Sequence, residues 1–126
     1  MFHHIVIGVN NLEESRKFYD SVLGILGQTP GRYIKAKDRY RYESNDGFSF
    51  VITVPKDGNP ATIANGFTLG FDAYSIEEVE AAYKAGIENG GIGIEDKPGP
   101  RASGLYSAYL RDPMGNKIRI SYKNIK

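Results

Sequence analysis

Cysteine and tryptophan are absent from this 126-residue chain. Without thiols there are no disulfides, no thiolate metal sites and no thiol nucleophile, and nothing calls for an oxidising compartment. Histidine is scarce: the only two, His3 and His4, are adjacent. A dominant charge sign is missing too. Lys and Arg number 16 against 15 Asp and Glu, a formal net charge of +1, so no global field draws the chain to nucleic acid or an acidic membrane. No apolar stretch approaches the roughly 20 residues of a membrane span. The N-terminus lacks a basic region followed by an apolar run. The expectation is a cytoplasmic protein with no membrane partner. What is present is globular in balance, 40% hydrophobic and 25% charged, and of a length that suits one domain with its own core.

The most informative stretch is GLYSAYLRDPMGNKIRISY, residues 104–122. Asp112-Pro113-Met114-Gly115 has type I turn chemistry, with Asp first, Pro preset second and Gly last. The return strand alternates: Ile118, Ile120 and Tyr122 point one way, Lys117, Arg119 and Ser121 the other. A hairpin with one core face and one polar face is predicted.

Upstream, FHHIVIGV at 2–9 reads as a strand, with Ile5, Ile7 and Val9 opposite His4, Val6 and Gly8. Adjacent strand residues face opposite ways, so His3 is not expected to join His4. Asn11 and Glu14 make a capping box, and apolar residues at helical spacing predict a helix from about 12 to 24. Residues 28–54 read as three strands joined by turns. The segment 55–66, rich in Pro, Gly and Asn, reads as a linker. Then the pattern restarts. A strand over 68–73 precedes Ser75, which caps a helix with Glu78 closing the box, and Asn89-Gly90-Gly91 ends it. A strand near 92–96 and a loop over Lys97–Ser103 lead to the hairpin. His4 aligns with Thr68, Asn11 with Ser75 and Tyr19 with Tyr83, all at an offset of 64. The last strand of each half aligns as well, Val51 falling on Arg119. The chain is two βαβββ modules, about 1–55 and 67–126, sharing one core in a single domain over 1–126.

HHIVIGVNNLEESRKFYDSVLGILG at 3–27, GFTLGFDA at 66–73 and YSAYLRDPMGNKIRISY at 106–122 resemble the vicinal oxygen chelate superfamily of glyoxalase I, bleomycin-resistance proteins and extradiol dioxygenases. The resemblance implies an α+β fold. Two βαβββ modules pair into one curved mixed sheet with helices outside, commonly as a homodimer. It also implies a cavity where metal-dependent members place His or Glu at four symmetry-related positions. Here those positions hold His4, Val51, Thr68 and Arg119. One imidazole, a hydrocarbon, a hydroxyl and a guanidinium do not make the three ligands of a catalytic divalent site. The expectation is that no metal or other cofactor is bound there.

Three uses of such a cavity follow. In the first, His4, Thr68 and Arg119 beside Val51 bind an organic anion, with the Arg119 fork on a carboxylate or phosphate. The plain alternative has Arg119 filling the vacated position, paired with Asp72 or lying over a tyrosine. In the second, nine tyrosines line a cleft that sequesters a small molecule. Tyr19 and Tyr83 are expected to be packing residues. Of Tyr106 and Tyr109, one should face the core and the other the cavity. In the third, His4 is a metal-free general base, the sole group there titrating near neutrality. Arg101 is a secondary contact candidate, in a loop that borders the active-site mouth in relatives. The favoured reading is a glyoxalase/bleomycin-resistance-like protein without the family metal ligands that binds a small, acidic organic molecule. The runner-up is a divergent lyase/isomerase- or dioxygenase-like enzyme using His4 as acid–base or an unrecognised metal site. RYIKAKDRYRYE at 32–43 interleaves basic and aromatic residues, but strand alternation accounts for it, Arg39 and Arg41 on one face and Tyr40 and Tyr42 on the other. No nucleic-acid partner is expected.

Overall fold

A computed structural model describes residues 1–123, so the final residues of the second module, 124–126, lie outside the described residues. The first module is β1 (His4–Gly8), α1 (Leu12–Ile25), β2 (Arg32–Ile34), a 3-10 turn (Lys35–Lys37), β3 (Arg39–Glu43) and β4 (Ser49–Thr53). The second is β5 (Leu69–Asp72), α2 (Ile76–Glu88), β6 (Ile92–Pro100), β7 (Leu105–Arg111) and β8 (Lys117–Lys123).

Both helices start where the sequence places their caps. The Asn11 side chain accepts from the Glu14 N–H at 3.0 Å and the Ser75 hydroxyl from the Glu78 N–H at 3.1 Å, satisfying donors the first turn cannot. The repeat reappears in the strand ladders. β1 runs parallel to β4 with Ile5 opposite Phe50 and Val6 opposite Val51. β5 runs parallel to β8 with Leu69 opposite Ile118 and Gly70 opposite Arg119. The ladders form two four-stranded sheets, β1-β4-β3-β2 and β5-β8-β7-β6. The hydrogen-bonded sheet is thus not continuous across the modules: β1 and β5 are both edge strands, and a cavity of about 380 Å³ lies between them.

One core serves both modules. Phe18, Tyr19 and Val22 of α1, Val79 and Ala82 of α2, and Ile52, Leu110, Ile118 and Ile120 of the sheets are fully enclosed, each large side chain contributing about 2 kcal/mol of transfer free energy. The helices approach closely because Gly86 has no side chain. A Cβ there would sit 2.5 Å from Leu110 Cδ1 and 3.1 Å from Phe18 Cε2. The hairpin turn is bound into this core. Asp112 Oδ1 accepts from the N–H groups of Met114, Gly115 and Asn116 at 2.9–3.0 Å. Oδ2 accepts from the Tyr19 hydroxyl at 2.5 Å and from Asn116 Nδ2 at 3.1 Å. A helix of one module is thereby tied to the turn of the other.

One expectation is overturned. Residues 97–100, expected to be part of a loop, belong to β6, which pairs with β7 on both sides of a register shift between Ile94 and Gly99. Pro98 and Pro100 are compatible with pairing because β6 is an edge strand, where a missing N–H disturbs no second ladder.

Candidate anion-binding face

Each sheet directs one side-chain row to the core and leaves the other free of it. On the second sheet that row centres on Arg119 of β8, flanked in register by Tyr109 of β7 and Gly70 of β5. The half-buried guanidinium lies 5.4 Å from the Tyr109 ring centre. Its Nε and Nη2 donate to the Ser107 hydroxyl at 3.3 and 3.2 Å, and Nη2 also to that of Ser103 at 3.4 Å. Hydroxyls and a ring face orient the fork without neutralising it. Among the described residues no carboxylate lies within ion-pair distance of Arg119. The expected alternative of a tyrosine beneath it is what the structure shows, whereas Asp72 lines the inter-sheet cavity instead. On the other flank, the position of a Cβ on Gly70 has no atom within 4 Å. Arg119 thus has a ring on one side and open space on the other.

Further cations surround Tyr109. Lys117 Nζ is 5.0 Å and Arg101 Cζ 5.8 Å from its ring centre. Lys117 is paired with Glu95 at 2.8 Å. Arg101 donates to the carbonyls of Asp96, Lys97, Gly99 and Pro100 at 3.0–3.4 Å, which satisfies acceptors left by the irregular stretch of β6. Tyr106 points the other way, against the core. It donates to Glu80 Oε2 at 2.8 Å, and that bond raises its hydroxyl pKa.

The first-module positions sit elsewhere. Val51 occupies the place equivalent to Arg119 and is buried between Val6 and Arg41 in register. Thr68 is exposed, just before β5. His4 is exposed on β1 and borders the inter-sheet cavity with Ile5, Phe50 and Phe71. Its Nδ1 is 2.7 Å from Nδ1 of His3, so the expectation that His3 would face away is corrected. Regular pairing starts only at His4, and strand alternation does not constrain the residue before it. The structure records no contact joining His4 or Val51 to Thr68 or Arg119 among the described residues. The cavity takes in His4 alone of the four.

These donors do not fit a divalent cation. Val51 has no ligand atom, Arg119 carries a fixed positive charge, and His4 faces a second imidazole. Among the described residues no group of three or more His, Asp or Glu side chains is placed to hold a metal ion. Sequence reasoning missed two parts of this face. Ser107 and Ser103 looked like ordinary strand and loop residues. Gly70 matters only through its register with Arg119, which the repeat offset could have revealed.

The fold and this duplicated arrangement define a two-module α+β protein of the glyoxalase type. The family model described as Glyoxalase/Bleomycin resistance protein/Dioxygenase superfamily matches residues 1–120, and the chain belongs to that superfamily. It is 51% identical to a glyoxalase/bleomycin resistance protein from Albidiferax ferrireducens T118, over 98% of this chain and 99% of that one, with a TM-score of 0.92. It resembles in fold a glyoxalase-related enzyme from Fulvimarina pelagi, at 19% identity, 98% and 88% coverage and a TM-score of 0.78. It likewise resembles a lactoylglutathione lyase from Agrobacterium tumefaciens, at 16% identity, 97% and 92% coverage and a TM-score of 0.66. No functionally curated protein matches the chain. No helix among the described residues is long and apolar enough to cross a membrane.

Proposed function

We propose that this chain is a metal-independent member of its superfamily that binds a small organic anion, with Arg119 as the anchor. The observation that carries the reading is an oriented guanidinium, held by Ser107, Ser103 and Tyr109, with no carboxylate partner among the described residues and open space beside it at Gly70. Desolvated charges are normally paired, and a ligand carboxylate or phosphate meets that requirement through two parallel N–H donors. Thr68 and Arg101 are secondary contacts in this reading. The protein acts as a homodimer, consistent with the resemblance and with a free row on each sheet, and light scattering on a sizing column tests that.

Titration with carboxylate and phosphate metabolites tests the anchor. Wild type binds at least one of them, and Arg119→Ala weakens it by about 10- to 100-fold, the worth of one charged bidentate contact. Equal binding by both proteins refutes the proposal.

A second reading makes His4 an acid–base group in a divergent lyase- or isomerase-like enzyme. The His3–His4 contact favours it, because a hydrogen-bonded partner fixes an imidazole's orientation and tautomer. Full turnover by His4→Ala on a substrate the wild type converts eliminates this role.

A further inference from the structure

The segment Lys35–Arg39 and the exit of β4 enclose a second concave site, remote in sequence from Arg119. The 3-10 turn carries Lys35 and Lys37, Asp38 follows in the left-handed conformation at φ 51°, and Arg39 opens β3 opposite Thr53. Val54–Lys56 forms the facing wall, and the cleft measures about 460 Å³. Four cations line it, Lys35, Lys37, Arg39 and Lys56, against one carboxylate, Asp38. That carboxylate is already engaged by the Tyr33 hydroxyl at 2.9 Å. None of the four cations forms an ion pair among the described residues. The Nε of Arg39 is closed off from solvent and has no acceptor. A shielded guanidinium N–H without an acceptor is costly, and four like charges around one hollow repel one another. The chain has 15 acidic residues to balance such a cluster and places only Asp38 in the cleft.

We propose that this cleft binds a phosphate-bearing small molecule. A multivalent anion rich in oxygen offsets the unpaired charges around the cleft, the Arg39 guanidinium among them. It also accepts from the three lysines, which suit phosphate as mobile point charges. A single-stranded nucleic acid fits less well. Stacking needs free aromatic faces, but Tyr33 and Tyr40 lie against each other with ring centres 5.1 Å apart, and Arg16 lies over Tyr40. Arg32 and Arg41, which would extend a basic track, both contact Glu43.

The test is calorimetric titration of inorganic pyrophosphate at constant ionic strength set with chloride. It is run in wild type and in Arg119→Ala, so that any binding at the Arg119 face is removed in the second. Binding survives in R119A, falls about tenfold or more in R119A carrying Lys35→Ala and Lys37→Ala, and weakens in R119A carrying Arg39→Ala, which removes the guanidinium from the cleft wall. The three replaced side chains lie on the surface turn and the start of β3, and thermal melts verify folding. Absence of heat up to about 1 mM, loss of all binding in R119A alone, or binding indifferent to the cleft substitutions each overturns the proposal. So does tight binding of an oligonucleotide that the double lysine variant abolishes and pyrophosphate cannot displace.

Discussion

Replacing Tyr19 by phenylalanine removes one oxygen atom from the centre of the molecule, and the structure sets its cost. The ring is fully buried and packs edge-on against Phe18 and Phe50, both 4.9 Å away between centres. Phenylalanine keeps those contacts. What is lost is the 2.5 Å hydrogen bond to Asp112 Oδ2, whose one other donor among the described residues is Asn116 Nδ2. A hydrogen bond to a buried carboxylate is worth about 2 kcal/mol, a large part of a stability of about 5–15 kcal/mol. At about 3–5 °C per kcal/mol for a chain this long, the melting temperature falls by about 6–10 °C. A second signature appears in alkali. Burial, reinforced by the negative charge of Asp112 and the hydrogen bond to it, holds the Tyr19 pKa well above 10.0. Tyr42 is also raised, by burial and its bond to Asp20. Above pH 10 the unfolded phenols lose protons that the folded ones keep. The unfolded state then binds fewer protons, so stability is complete below pH 10 and declines as pH rises, by up to about 1.4 kcal/mol per pH unit for each tyrosine. Tyr19→Phe removes one of the contributions, so its alkaline limb is shallower than that of wild type. Urea unfolding at pH 7 and at intervals above pH 10 measures both effects. A loss below about 0.5 kcal/mol together with an unchanged alkaline limb refutes the assignment of Tyr19 and Asp112 as the tie between modules.

Two glycines in helices should respond to alanine with opposite signs. Gly86→Ala drives a methyl into Leu110 and Phe18 and costs about 1–3 kcal/mol by overpacking, whereas Gly24→Ala, with no atom within 4 Å, stabilises by about 0.5–1 kcal/mol. Thermal melts of the pair decide. Asn11→Ala and Ser75→Ala each cost about 1 kcal/mol, and the double variant shows the sum, since the caps belong to different helices. Arg101→Ala exposes the four carbonyls it caps. It should raise amide hydrogen exchange along β6 before elsewhere, and uniform exchange would contradict that role.

The elements legible in the sequence were those that local chemistry fixes. Asn11 with Glu14 and Ser75 with Glu78 announce both helices. The two alignments of the halves, one for the first strands and one for the last, agree with the ladders, where Ile5 meets Phe50 as Leu69 meets Ile118. Longer-range features were not legible. The tie between Tyr19 and Asp112 joins residues 93 apart in sequence, and helical spacing marks Tyr19 only as a packing residue. The 97–100 stretch reads as loop because Pro and Gly are local breakers, while its strand pairing depends on β6 being at an edge. The His3–His4 contact depends on where β1 begins, which alternation alone does not define.

The outer edges of the two sheets bear on how the protein behaves when crowded. β2, one outer edge, is three residues long. β6, the other, carries Pro98 and Pro100 and a break in register. An incoming strand would find too few donors in line on either edge to extend the ladder. The irregularity that defeats sequence reading of β6 is therefore also a guard against fibrillar self-association, leaving the edges at β1 and β5, which flank the inter-sheet cavity, as the ones open to a further strand.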